Sequence, residues 1–219
     1  MMRLSRYGGN PNIGVYAAVN ESLGFVACDA SPEFIKDLET ALQIKTIMTT
    51  VAGSFVVGSL VVMNSNGAIV SDLSETKELS LIKKEIPVGM VKDKMNAAGN
   101  NILANDNGAV ISPDMGKRAE KTIRDILDVD VIRSTVAGCN TVGSVCVATN
   151  KGCICHPDTT DEELEVISDI LKVETKRASV NHGVKYLGAG ILANSKGALI
   201  GDDTTPIEMG KIEDGLNLF

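Results

Sequence analysis

The sequence lacks a surplus of positive charge. Against 21 lysines and arginines stand 28 aspartates and glutamates, giving a formal net charge of -7 and a pI near 4.9. Such a balance argues against a broad basic face that grips phosphate backbones, and so against bare nucleic acid as the main partner. Long apolar runs are missing too: no stretch approaches the roughly 18 residues that span a membrane. The start, Met1-Met2-Arg3-Leu4-Ser5-Arg6, is polar and soon broken by Gly8-Gly9, unlike a secretory leader, so a cytoplasmic protein without a membrane partner is expected. Also absent are a G-x-x-x-x-G-K-[ST] phosphate loop, a G-x-S-x-G elbow and a paired acid. Histidine occurs only at 156 and 182, which leaves little for general-base chemistry. Cysteine numbers five, an odd count set inside apolar runs, which points to a reducing compartment and no structural disulfide.

What the chain does have is repetition. A glycine closing a short apolar segment is followed nine residues later by another: Gly58 and Gly67, Gly99 and Gly108, Gly143 and Gly152, Gly188 and Gly197, with Gly14 and Gly24 one residue longer. Between them lies an apolar stretch that ends in Asn20, Asn64, Asn105 or Asn194, with Asn150 one place late. A second apolar triplet follows, such as Ala68-Ile69-Val70 or Cys153-Ile154-Cys155. Two apolar runs around an Asn/Gly turn predict a hairpin, since both residues tolerate the positive φ of tight turns.

A helix is expected after each triplet. Ser31-Pro32 starts the first, Thr160 with Glu163 and Thr205 with Glu208 form capping boxes, and stripes such as Leu164, Ile167, Leu171 and Ala119, Ile123, Ile126 give each an apolar face. Helices at 74–86 and 114–127 keep the stripe with weaker caps, and a short strand such as Val131-Ile132-Arg133 follows each helix. The leading glycines recur after 44, 41, 44 and 45 residues, so five units fill the 219-residue chain as one domain, at about 1–47, 48–90, 91–133, 134–177 and 178–219. Open stacks need atypical polar end repeats, and neither end unit is one. The expected fold is therefore an α/β five-bladed propeller with fivefold pseudosymmetry, strands lining an axial channel and helices outside.

The stretch "TVAGCNTVGSVCVATNKGCICHPDTT" gathers Cys139, Cys146, Cys153, Cys155 and His156. Laid on the repeat, Cys153 and Cys155 take the places of Ala68 and Val70, and Cys146 that of Val61, which makes them core strand residues. Zinc would want C-x2-C or H-x3-H spacing and four ligands, so neither metal nor cofactor is expected. His156, before Pro157, reads as a surface residue. Nothing places His182 against a particular cysteine.

The run "TVAG" followed by V-G, the stretch "TNKGCICHPDTTDEELEVISDILKVE", and "SVNHGVKYLGAGILANSKGALIGDDTT" resemble the translation initiation factor 6 family, as do "IGVYAAVN" and "AAGNNILANDNGAVISPD". The similarity covers essentially the full length. It implies a pentein ring and a binding protein rather than an enzyme, one that attaches to the large ribosomal subunit on its joining surface, keeps the small subunit away and takes part in large-subunit biogenesis. It also implies a principal contact with ribosomal protein uL14, smaller contacts with a neighbouring protein and the sarcin-ricin loop of rRNA, and action as a monomer. Eukaryotic members carry a further acidic tail, whereas this sequence stops at Phe219 like the archaeal members, so tail-based regulation does not carry over.

The family pattern puts contacts on loops around the first hairpin strand at one end of the ring. By position these are Ser54, Ser59, Asn100 and the region Asn181 to Tyr186, including His182; Asn10, Asn12, Asn96, Asn140 and Lys185 join them on the same loops. Asn100 also suits a plain turn, and Tyr186 a packed ring. Two other readings stay open: a guanidino-group enzyme of the same fold, which would carry a nucleophilic cysteine late in the chain where this sequence ends its cysteines at Cys155, and a protein-binding ring with another partner.

Overall fold

Each apolar triplet becomes the middle strand of a three-stranded sheet, buried on both faces and therefore apolar at nearly every position. The computed structural model describes residues 1–219 and is mixed α/β. In chain order the strands are β1 (Met2–Ser5), β2 (Ala17–Val19), β3 (Leu23–Ala27), β4 (Lys45–Thr49), β5 (Val61–Met63), β6 (Ala68–Ser71), β7 (Val88–Val91), β8 (Ile102–Ala104), β9 (Gly108–Ile111), β10 (Asp130–Arg133), β11 (Cys146–Ala148), β12 (Cys153–Cys155), β13 (Thr175–Arg177), β14 (Ile191–Asn194) and β15 (Gly197–Gly201). They form five separate sheets: β2-β3-β4, β5-β6-β7, β8-β9-β10, β11-β12-β13 and β14-β15-β1. Within each, the hairpin pair is antiparallel and the outer strand, reached through a helix, runs parallel to the middle one. The fifth sheet borrows its outer strand from the other end of the chain, with Met2 opposite Ala198 and Ser5 opposite Gly201.

The innermost strands touch in cyclic order, β2 to β5, β8, β11, β14 and back to β2, consistent with a fivefold pseudosymmetric arrangement. The four-residue helical turns that hold Gly58, Gly99, Gly143 and Gly188 pack on one another around the axis, and the longer helices pack across the sheets. Pro32–Leu42 starts on Ser31, whose side chain accepts the Phe34 N–H; Asp161–Leu171 and Pro206–Gly215 start on the capping boxes expected at Thr160 and Thr205. Thr76–Ile82 has a capping box as well, Glu75 with Glu78, and Lys117–Leu127 buries Ala119, Ile123 and Leu127 rather than Ile126.

Contrary to the expectation from turn chemistry, neither the paired glycines nor the hairpin asparagines sit at positive φ. The glycines are there because backbones pass too close for a side chain. A Cβ on Gly58 would lie 1.9 Å from the carbonyl oxygen of Gly14, one on Gly99 1.9 Å from Gly58, one on Gly143 2.2 Å from Gly99, one on Gly188 2.2 Å from Gly143, and one on Gly14 2.1 Å from Gly188. The circuit closes on itself. The second glycine makes room for a helix in four of the five pairs: a Cβ on Gly67 would meet Ile126 O at 2.4 Å, one on Gly108 Ile170 O at 2.1 Å, one on Gly152 Gly215 O at 2.3 Å and one on Gly197 Ala41 O at 2.3 Å, whereas one on Gly24 would meet the Ile44 side chain at 3.0 Å.

The asparagines clasp neighbouring units. Asn64 Oδ1 accepts the N–H groups of Asn66 and Gly67 in its own turn, while its Nδ2 donates to Asn105 O and Leu127 O of the next unit. Asn20 donates to Asn64 O, Asn105 to Thr149 O and Leu171 O, and Asn194 to Asn20 O and Leu42 O. Only the fourth unit breaks the series: Thr149 accepts the N–H groups of Lys151 and Gly152 but has no amide to hand onward.

Cys146, Cys153 and Cys155 are buried strand residues as expected. His156 is not a surface residue. It is 8% exposed, because its N–H continues the hairpin ladder to Val145 O and its Nδ1 accepts the Asp158 N–H at 3.0 Å, folding the ring into the loop. Burial pushes its pKa down. One expected outcome tests the glycine circuit. Gly58→Ala should destabilise the protein by about 3 kcal/mol or more, beyond ordinary overpacking because the clash is with backbone, while Ser59→Ala in the same turn should cost under about 0.5 kcal/mol in urea unfolding.

Candidate functional site

At one end of the channel, the loops from outer strand to inner strand gather with those leaving the middle strands. Four of these loops are tight turns closed by isolated bridges: Tyr7 with Asn10, Val51 with Ser54, Val136 with Cys139 and Val180 with Val184. Positive φ belongs here, at Gly8-Gly9, Ala52-Gly53, Ala137-Gly138 and Asn181-His182-Gly183. A carboxylate from the following helix holds three of the turns. Glu78 accepts the N–H groups of Ala52 and Gly53, Glu163 that of Ala137, and Glu208 those of His182 and Gly183. These are the capping-box glutamates, which serve the helix and the rim together. Burial alone would raise Glu208, but hydrogen bonds from Thr205, Ser179 and Gly183 outweigh it and bring its pKa down to about 2. Glu78 is lowered for the same reasons, burial again opposing and donors from Thr50, Glu75, Gly53 and Ala52 prevailing.

Beside the turns runs a series of aspartates, one from the loop after each middle strand: Asp29, Asp72, Asp114, Asp158 and Asp202. Each takes a donor from a neighbouring unit or turn. Asn96 Nδ2 donates to Asp72 at 3.1 Å, Asn140 Nδ2 to Asp114 at 2.6 Å and Lys185 Nζ to Asp158 at 2.6 Å; the Tyr7 hydroxyl donates to Asp29 and the Arg6 guanidinium to Asp202. Three residues singled out from sequence thus share one task, each standing three positions before its channel glycine and reaching the acid of the unit before it. The Lys185 ammonium lowers the Asp158 pKa.

The other expected site residues divide by exposure. Ser59 and Asn100 lie half-buried around the channel mouth with Ser144. Asn100 sits in the helical turn Ala98–Asn101, not in a positive-φ turn. Tyr186 is 57% exposed, which removes the packed-ring alternative, and His182 and Lys185 are exposed beside it. Ser54 Oγ accepts the Val56 N–H and Asn10 Oδ1 the Asn12 N–H, bracing their turns, with Asn12 itself half-buried. Asn181 is turned inward, 6% exposed, donating to Pro11 O and bonded to Thr204, so it fixes the junction of the fifth and first units.

Phe55, 46% exposed at the place Lys185 occupies in its unit, and the aspartate series are not among the residues expected from sequence. Both left a signal: an aromatic next to "TVAG", and an aspartate just before each helix cap, as in "CDAS", "SDLS", "HPDTT" and "GDDTT". No helix is long and apolar enough to cross a membrane.

Comparison with known proteins bears on what this rim belongs to. The eIF-6 family model matches residues 2–215. The chain belongs to the eIF-6 family. Among its relatives are proteins named translation initiation factor 6 from Thermoplasma acidophilum, 42% identical over 205 residues, and from Archaeoglobus fulgidus, 44% identical over 208 residues. A third, from Methanosphaerula palustris, is 39% identical over 214 residues. These alignments cover 94%, 95% and 98% of this chain and 94%, 96% and 97% of the relatives. The match to eIF-6 proteins takes in every unit and every turn of the rim.

The rim tethers give a pH test. Because the folded-state pKa of Glu208 is depressed from 4.5 to about 2, its contribution is complete above 4.5 and lost as pH falls through that window. Melting temperature should drop steadily from pH 4.5 towards 2. Glu208→Gln should cost about 2–3 kcal/mol at neutral pH and flatten part of that slope, as measured by thermal melts across pH.

Proposed function

We propose that the protein is a translation initiation factor that binds the large ribosomal subunit through this rim and blocks association with the small subunit, with a part in large-subunit biogenesis. The names of its relatives support the initiation-factor reading. The observation that carries the binding reading is the rim itself: aspartates in every unit, exposed Phe55 and Tyr186, and turns tied down by buried carboxylates. We read the architecture as a pentein propeller, a single domain of five repeats near 1–47, 48–90, 91–133, 134–177 and 178–219.

An acidic rim does not suit rRNA phosphates, and complements a basic ribosomal protein, which speeds encounter and fixes orientation. On this reading uL14 is the principal partner, with a neighbouring protein and the sarcin-ricin loop touching the edge, and the factor acts as a cytoplasmic monomer. Phe55 and Tyr186 are the anchors, since aromatics dominate interface energetics. Asn10, Asn12, Ser54, Ser59, Asn96, Asn100, Asn140, His182 and Lys185 form or brace the surrounding surface, while Asn181 acts from within. We read the protein as non-catalytic. The Cys155 thiol is pushed well up by the neighbouring Cys146 and by burial, the opposite of an activated nucleophile.

Co-sedimentation with separated subunits tests this. The protein should pellet with large subunits and reduce the joined fraction when small subunits are added. Phe55→Ala and Tyr186→Ala should each weaken binding about tenfold, and Asn100→Arg should do the same by obstruction, with melting temperature unchanged. Full subunit joining at saturating protein would overturn the proposal.

A further inference from the structure

Three sulfurs meet in the fourth unit, two of them in facing positions. Cys146 on β11 is directly opposite Cys155 on β12, while Cys153 faces Ala148. The ladder bonds fall on either side, at Val145 with His156 and at Thr149 with Gly152, which makes Cys146 and Cys155 a non-hydrogen-bonded pair, the kind with the closer side chains. Their sulfurs are 3.0 Å apart, against 3.9 Å between Cys153 and Cys155. A disulfide needs a separation of about 2.05 Å and Cβ atoms about 3.5–4.5 Å apart, so the facing pair requires only a small approach.

The pair is buried but borders a cavity. Cys146 lines the axial cavity of about 120 Å3, whose other walls are the inner strands of all the units. Cys155 stands behind it, fully buried. The Cys155 thiol is pushed up by its neighbour Cys146 and by burial, and burial pushes the Cys146 thiol up as well, so neither reacts quickly.

We propose that Cys146 and Cys155 are a latent redox pair that hydrogen peroxide, entering through the axial channel, converts to a cross-strand disulfide. The Cys146 sulfur attacks one peroxide oxygen; the O–O bond breaks, and the leaving hydroxide takes the thiol proton as water, giving a sulfenic acid. The Cys155 sulfur then attacks the Cys146 sulfur, the S–O bond breaks, and a second water leaves with the Cys155 proton. Two thiols are oxidised by two electrons in all, and one peroxide is reduced to two waters. The bond would join a channel-lining strand to its middle strand in the one unit whose hairpin turn begins at Thr149 in place of asparagine.

The test uses the full chain carrying Cys28→Ser and Cys139→Ser, which removes the exposed and half-exposed thiols. Peroxide should lower the intact mass by two hydrogens, link the tryptic peptides 134–151 and 152–172 through Cys146 and Cys155, and raise the melting temperature, all reversed by reductant. Glutathione disulfide, too large for the cavity, should react at least tenfold more slowly. Cys153→Ser should leave the link intact and Cys146→Ser should abolish it; should Cys146→Ser fold poorly, fragmentation of the linked wild-type peptides makes the same assignment. A link through Cys153, or no mass loss under peroxide, would overturn the pairing. Equal rates with both oxidants would overturn the channel route.

Discussion

Everything in this molecule depends on how closely five backbones approach one another around the axis. At Gly14, Gly58, Gly99, Gly143 and Gly188 each backbone passes the carbonyl of the preceding unit at a distance that excludes even a methyl group. Close packing at this level leaves no room for compensation by side-chain repacking. It also sets the spacing of everything built outward from it. The inner strands start three residues after these glycines, and the residues at 96, 140 and 185 reach the acid of the unit before because the glycines hold adjacent units at a fixed step.

The two ends of the channel are consequently different in kind. One end is a clasp, where Asn20, Asn64, Asn105 and Asn194 spend their side chains on neighbouring backbone. The other carries the aspartate series and the exposed Phe55 and Tyr186 beside turns whose N–H groups already donate to the buried Glu78 and Glu208. A turn held this way is rigid before any partner arrives, which reduces the entropy cost of binding. The fourth unit stands apart at both ends, with Thr149 in place of the clasp and facing thiols at the other end of its hairpin.

Much of this was legible in the sequence, for reasons that can be named. The hairpins, the helix starts at Ser31, Thr160 and Thr205, and the repeat length all follow from local patterns, and local patterns are what a sequence displays directly. The partnership of Met2–Ser5 with Gly197–Gly201 was not legible, since it joins opposite ends of the chain and leaves no local mark. The glycines were found for the wrong reason: turn chemistry and steric exclusion select the same residue, and only the neighbouring backbone tells them apart. His156 was misplaced because the chain after it folds back, the Asp158 N–H donating to its ring and the Thr159 hydroxyl to its carbonyl. On the rim, Asn96, Asn140 and Lys185 were identified by position but their shared bond to the preceding aspartate needed three dimensions, while Asn181 turned inward.

On the proposed function, one rim of the ring, and only that rim, meets the large subunit. Hydrogen exchange of the protein with and without purified large ribosomal subunits tests it most directly. New protection is expected at 51–55, 136–140 and 180–186 and none at the clasp hairpins 64–67 and 105–108. Protection concentrated at those hairpins or on the outer helices, with the rim turns unchanged, would contradict it.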